Sequence, residues 1–526
     1  MYGARAGGVT APTVASAQTL PGPVSLWFQR SETGAFGTPL LALGLPVFAA
    51  VWLGLLAFTS LSPPVDNIEQ LIWVHSLEWG YYKHPPLPTW VIWLPASLLG
   101  ASAWTSYVLG AALTLTGMWI LWRLVSTLRG KTHAAVALLA ALCITYYNGR
   151  LYYYNHNVVL LLLSAASAAL CWQAFATRRL RWWAALGLML GLAALTKYQA
   201  VVTMASILVF AFQQRAWRDP NHRRGVLLAC LISLLVFTPH VYWLRTYDFG
   251  PIHYAVEASL GARLDLLARS VKSLHWLVDQ LFNRSLPALL LLAALAASIH
   301  RSRRPTPRRN ESPPITREGT ACPEPCRRAR ALLLTLGIVP LLFIPLVGVA
   351  VGADPQLQWG TPFLLFVVPA VMEFGPFDFW NKADLGKALR MFLLIQALLL
   401  VVSYVTSPRG PVSLQDHHRR TFDSAELATG LAGPTRAQLG GPIRVVSGST
   451  ADAGAVALQL PEQPLVLIDG RLDRSPWMNP ELVKQCGALE VGSLQALPGG
   501  RPAGAAFPGL VWHVTKPLPE AGPCPV

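Results

Sequence analysis

The sequence predicts a polytopic α-helical membrane protein with a small α/β domain at its C-terminal end. Three observations predict this. Of 526 residues, 53% are hydrophobic and only 13% charged, and apolar runs of about 17 to 25 residues recur, the length a bilayer core requires. Basic residues gather in alternate loops between those runs. After Pro408 the composition changes to Gly, Pro, Asp and Arg mixed with short β-type runs.

In chain order, eleven spans are expected: 39–60, 103–122, 133–147, 156–176, 182–196, 199–214, 226–244, 285–300, 331–350, 359–375 and 389–406. Residues 1–36 contain no early apolar stretch and read as a flexible leader, leaving the first span as the insertion signal. Residues 37–406 form the membrane domain, interrupted by a basic, Pro-rich insert at 301–330 that reads as a disordered loop. In the tail, 407–526, the runs at 443–448, 464–470 and 510–516 read as strands and 481–486 as a helical turn. About 120 residues suffice for one small domain. It carries neither a Walker loop nor GxGxxG after a strand.

Sidedness follows from the basic clusters. Arg123, Arg129 and Lys131 share one loop, Arg178, Arg179 and Arg181 a second, and Arg215, Arg218, Arg223 and Arg224 a third; the 301–330 insert and Lys382, Lys387 and Arg390 supply two more. The positive-inside rule places these loops in the cytoplasm. The N-terminus is then cytoplasmic, while 61–102, 245–284 and the tail are external, as in a bacterial inner-membrane protein. The net charge of +16 is accounted for by this topology signal, so nucleic acid is excluded as a partner. Of seven cysteines, Cys143, Cys171 and Cys230 read as packing residues, and Cys322 and Cys326 lie in the insert without further zinc ligands. Cys486 and Cys524 share the exported tail, where a disulfide is permitted.

The richest segment is the first external loop, DNIEQLIWVHSLEWGYYKHPPLPTW, from Asp66 to Trp90. Asp66 and Glu69 fall on one face of a helix. Ile68, Leu71, Ile72 and Trp79 recur on another, as in a helix lying on a bilayer surface. Downstream stand LGLAALTKYQAV (191–202), PHVYWL (239–244) and LQWGTP (357–362).

This ordered set resembles the GT-C glycosyltransferases. More narrowly, it is similar to the bacterial family-39-type, protein-mannosyltransferase-like proteins related to the aminoarabinose transferases. Asp66 takes the first acidic position of the family's loop, and Gly80-Tyr81-Tyr82 and His84-Pro85-Pro86-Leu87 follow at the family's spacing. Three positions depart from the pattern: Asn67 replaces the second acid, Lys83 the acid before His-Pro-Pro, and Asn157 a later Asp. A divalent metal such as Mg or Mn fits less well without those carboxylates; the metal ligands stay unassigned.

The resemblance implies a membrane transferase that moves a sugar, hexose or pentose, from a polyprenyl-phosphate donor to an external acceptor: lipid A, lipopolysaccharide, another glycan or a protein. Independently of it, such chemistry needs a base for the acceptor hydroxyl and cations for the leaving phosphate. Asp66 suits the base; an N-cap is its plainer role. Glu69 suits positioning of an acceptor or metal, or a surface charge. Lys83, Arg150 and Lys197 suit phosphate binding, or snorkelling to headgroups. Tyr82, His84, Asn157 and Tyr198 complete the expected substrate pocket, although His84 also suits a turn. The tyrosines flanking Arg150 suit sugar stacking or an interfacial aromatic belt, and His240 and Trp243 read as packing residues. Two other classes stay open: a lipid or polysaccharide transporter, and an inactive envelope scaffold. Nearly charge-free spans without repeated halves speak against the former.

Overall fold

The computed structural model describes residues 38–260, 264–302, 324–410 and 419–525. The leader at 1–36, Cys322 and most of the 301–330 insert lie outside them. The protein is a multi-pass membrane protein. Helices α1 (Thr38–Thr59), α4 (Ala103–Arg129), α6 (His156–Thr177), α9 (Pro220–Thr246), α13 (Glu324–Val351) and α15 (Leu385–Val405) each provide a stretch long and apolar enough to cross a bilayer. A bent pair adds one more: 266–284, which contains α11 (Leu266–Val278), meets α12 (Leu286–Ser302) at 56°. Between these lie α2 (Val65–Trp73), α3 (Leu87–Leu99), α5 (Lys131–Ala141), α7 (Leu180–Ala194), α8 (Ala200–Gln213), α10 (Gly250–Ala255) and α14 (Val367–Met372).

The expected spans at 133–147 and 359–375 are not continuous helices. α5 stops at Ala141, and turns carry the chain to Asn155. At 357–372 two 3-10 turns precede the short α14. Irregular backbone is tolerated at membrane depth when protein groups satisfy it. Here Thr145 N–H donates to Arg284 O (3.0 Å), Tyr147 Oη to Thr361 O (2.7 Å) and Gln199 Nε2 to Trp359 O (3.0 Å). The insert also ends earlier than expected, because Glu324–Arg330, including Cys326, begin α13. Arg129, counted above as a topology charge, is buried instead. Its guanidinium makes a bidentate pair with Glu373 at 2.7 and 2.6 Å.

The tail folds as a five-stranded mixed sheet, ordered β2 (Leu465–Ile468), β1 (Val445–Gly448), β3 (Ala488–Ser493), β5 (Leu510–Thr515), β4 (Arg501–Pro502). β1 runs parallel to β2 and β3, with Val446 opposite Val466 and Leu489; β5 is antiparallel to β3 and β4. Helices α16 (Ser424–Leu439), α17 (Asp452–Gln459) and α18 (Pro480–Cys486) accompany it, and Cys486 is disulfide-bonded to Cys524.

The tail decides the place of α2. Ile68, Ile72 and Trp73 are buried in one cluster with Leu427, Leu431, Val456, Leu489 and Val491, while Leu71 packs with Ile92, Tyr154 and Leu160 of the membrane part. Gly454 permits this approach, since a Cβ there would fall 2.6 Å from both Ile68 and Ile72 side chains. α2 therefore does not lie on the bilayer surface as expected; it is clamped between two protein layers. Trp79 lies beyond its end. α3 is the first-loop helix with a lipid-type face, exposing Trp93, Leu94, Leu98 and Leu99.

Candidate functional site

Two prolines lead into α2, and Pro64 at its N-cap contributes no side-chain hydrogen bond. Asp66 sits in the first turn rather than at the cap, so it does not take the capping role. Its carboxylate lies near the positive end of the helix. Asn155 Nδ2 donates to Asp66 Oδ2 at 2.8 Å. The same Asn155 caps α6, its Oδ1 accepting from Asn157 N–H (3.0 Å) and Val158 N–H (3.1 Å). One side chain thus starts a helix and fixes the carboxylate. Oδ1 of Asp66 makes no hydrogen bond among the described residues, and the residue is half-buried.

Asn67 faces inward and is fully buried. Its Nδ2 donates to Ser106 Oγ and Tyr152 O, both 2.9 Å, and its Oδ1 accepts from Tyr154 N–H at 2.9 Å. An amide provides two donors and an acceptor where a carboxylate provides only acceptors. The residue at the resembled family's second acidic position is therefore a structural tie between α2, α4 and the turn before α6.

Reciprocal backbone bonds between Tyr81 and His84 (3.0 and 3.2 Å) close a tight turn with Tyr82 and Lys83 at its tip. Lys83 Nζ donates to Glu69 Oε2 at 2.5 Å and lies 5.2 and 5.5 Å from the Tyr82 and Tyr254 ring centres. Burial pulls the Lys83 ammonium down, but Glu69 more than offsets this and holds it above the ordinary lysine range. Burial pushes the Glu69 carboxyl up, against the pull of Lys83. Glu69 is thus an internal counter-charge, not a surface one. The His84 ring centre lies 4.0 Å from that of His156, the rings tilted by 46°, and burial, with Lys197 and Lys83 nearby, keeps His84 neutral.

Gly80 precedes this turn because a Cβ there would fall 2.4 Å from Trp243 and 2.9 Å from His240. His240 bridges Tyr198 Oη (2.9 Å) and Trp79 O (2.6 Å), so Tyr198 belongs to the packing that seats the loop. Leu87 N–H donates to Leu195 O at 3.0 Å, bringing the loop to the break between α7 and α8 that holds Lys197. Lys197 Nζ donates to Asn157 Oδ1 at 2.7 Å. Burial pushes Lys197 down to about 8, against the pull of Asp66.

Arg150 lies on the turns before α6, its guanidinium 5.5 Å from the ring centres of Tyr146 and Tyr153. No carboxylate pairs with it among the described residues. From the tail, Arg474 stacks 5.1 Å over Tyr82. The structure thus brings Asp66, Glu69, Tyr82, Lys83, His84, Asn157 and Lys197 together, leaves Tyr198 in a supporting layer, and sets Arg150 among tyrosines. It adds Asn155, His156, Tyr254 and Arg474, which the sequence reading passed over. Asn155 was readable as a cap, being an Asn shortly before a long apolar run that begins at Val158.

The donor set does not fit a hard divalent metal, which takes several carboxylate oxygens. Among the described residues no three His, Cys, Asp or Glu side chains assemble for one. Asn67 is committed elsewhere, Asn157 serves Lys197, and an ammonium occupies position 83.

Residues 83–243 match the profile of the family described as dolichyl-phosphate-mannose-protein mannosyltransferase. Among solved structures the fold resembles ArnT from Cupriavidus metallidurans bound to undecaprenyl phosphate, with TM-score 0.57 and 16% identity over 93% of this chain and 100% of that one. The apo state of the same protein gives 0.57 and 14% over 90% and 98%. The fold thus resembles that of ArnT, in line with what the first-loop resemblance implies. No curated protein matches the chain in sequence.

Proposed function

We propose that this protein is an integral membrane glycosyltransferase that moves a sugar from a polyprenyl-phosphate-linked donor to an envelope acceptor on the external side, with inversion. The reading is supported by the family profile and the ArnT-like fold. It is carried by one observation: a carboxylate with one oxygen anchored by Asn155 and the other without a hydrogen bond among the described residues, in one cluster with two ammonium groups.

Asp66 Oδ1 takes the proton of the acceptor hydroxyl. The acceptor oxygen attacks the anomeric carbon as the bond from that carbon to the phosphate oxygen breaks, through an oxocarbenium-like transition state. Lys197 and Lys83 stabilise the charge gathering on the departing polyprenyl phosphate. Asn155 holds the base against rotation, and neutral His84 lines the phosphate side. The acceptor is lipid A, lipopolysaccharide, another glycan or a protein. The Cys486–Cys524 disulfide suits an oxidising compartment, in agreement with an external tail and an inner-membrane location. The domain limits proposed are a membrane unit at 37–406 and an external α/β unit at 407–526.

The test is Asp66→Asn, scored by label transfer from polyprenyl-phosphate-linked sugars in membranes and by mass spectrometry of envelope glycolipids. Transfer falls by about 10²–10⁴-fold with the protein still present at parental level. Undiminished transfer by this variant removes the base assignment.

A further inference from the structure

A phosphate leaving group needs cations, and a site that lacks metal-binding donors must supply them from its own side chains. The asparagines and the second carboxylate near Asp66 are already committed, which leaves Asp66 Oδ1 and the neighbouring His84 and His156 rings as the open groups. Asn67 is saturated by Ser106, Tyr152 and Tyr154. Asn157 gives its carbonyl oxygen to Lys197. Glu69, 5% exposed, is held by Lys83 at 2.5 Å. An ammonium 2.5 Å from the pocket's most buried carboxylate repels a second cation there. It is itself fixed: Glu69 grips it from one side, and the Tyr82 and Tyr254 rings flank it.

We propose that Lys83 is a built-in cation of this site, filling the electrostatic place of a divalent metal, so that polyprenyl phosphate is bound by Lys83 and Lys197 without any metal ion. This rests on the polyprenyl-phosphate reading above and specifies how that headgroup is recognised. Glu69 in this scheme is the counter-charge that keeps Lys83 protonated and aimed, rather than a metal ligand. Two fixed monovalent donors give weaker but metal-independent attraction, sensitive to salt and to lysine replacement.

The experiment measures undecaprenyl phosphate binding to the purified full chain by native mass spectrometry, in EDTA and after addition of Mg²⁺ or Mn²⁺. The expected result is equal affinity in all three conditions and at least a tenfold loss in Lys83→Gln. Because that change strands a buried carboxylate, the double variant Glu69→Gln/Lys83→Gln, which leaves no unpaired charge, is measured alongside and shows the same loss. Binding that collapses in EDTA and returns with Mn²⁺ overturns the inference while sparing the polyprenyl-phosphate reading. Parental affinity in the double variant also overturns it. Failure to bind with or without metal refutes the underlying reading, and this inference with it.

Discussion

Restoring the acid that the resembled family carries beside Asp66, by Asn67→Asp, should damage the fold rather than improve the site. Asn67 is fully buried and donates to Ser106 Oγ and Tyr152 O. Ser106 cannot reverse its role, because its own hydroxyl proton is spent on Ala103 O at 2.7 Å. An ionised carboxylate would therefore face two acceptors. The cheaper outcome is protonation. Keeping a carboxyl neutral at pH 7, about three units above its usual titration, costs about 4 kcal/mol. The hydrogen bond still missing adds about 1 kcal/mol, for about 5 kcal/mol in all. In a chain of this size that lowers the melting midpoint by about 5 °C. The sign with pH is fixed. A carboxyl whose folded pKa is raised brings a penalty that is absent below its unfolded pKa and grows as pH rises towards the folded value. Thermal unfolding of the detergent-solubilised variant should thus show a smaller deficit at pH 5 than at pH 8. A midpoint within about 2 °C of the parent at both pH values refutes the reasoning.

Lys197, pushed down to about 8, should make undecaprenyl phosphate affinity fall up to about tenfold per pH unit above 8; affinity flat to pH 10 contradicts its role. Asn155→Ala loses both a helix cap, about 1 kcal/mol, and the anchor of Asp66. Asn155→Asp keeps the cap yet sets two carboxylates together, so the acidic limb of the transfer pH profile moves up by about two units, at a cost of about 3 kcal/mol of stability at neutral pH. An unmoved profile in Asn155→Asp shows that the anchor does not tune the base. Gly80→Ala drives a methyl to 2.4 Å from Trp243, costing about 1–3 kcal/mol and raising the Kd for polyprenyl phosphate, as measured by native mass spectrometry alongside a melt.

Chain-crossing helices were legible because a bilayer imposes one length and one chemistry on them. The segments around Tyr147 and Phe363 were not, since their apolar composition reads as a span whether the backbone is helical or irregular. What separates the cases is a set of distant partners, Arg284 O for Thr145 and Thr361 O for Tyr147, that no local pattern reveals. The face of α2 carrying Ile68 and Ile72 was read correctly as apolar and assigned to the wrong neighbour. A hydrophobic stripe records that something covers it, not whether lipid or protein does. At the site, the acidic and basic residues of the first loop were visible as types, but the division of labour between Asn155 and Asn157 was not. Both are asparagines at the start of one helix, and only geometry shows that the first anchors Asp66 and the second receives Lys197.

The clamping of α2 has a consequence for biogenesis. Its tail-facing side is completed by Leu427, Val456 and Val491, residues translated hundreds of positions later. A nascent chain whose bundle is already inserted still lacks the surface against which the turn bearing Asp66 becomes ordered. Ordering of that turn is deferred until the last portion of the polypeptide has folded and docked, so an intermediate that lacks it leaves Ile68, Ile72 and Trp73 without their cover.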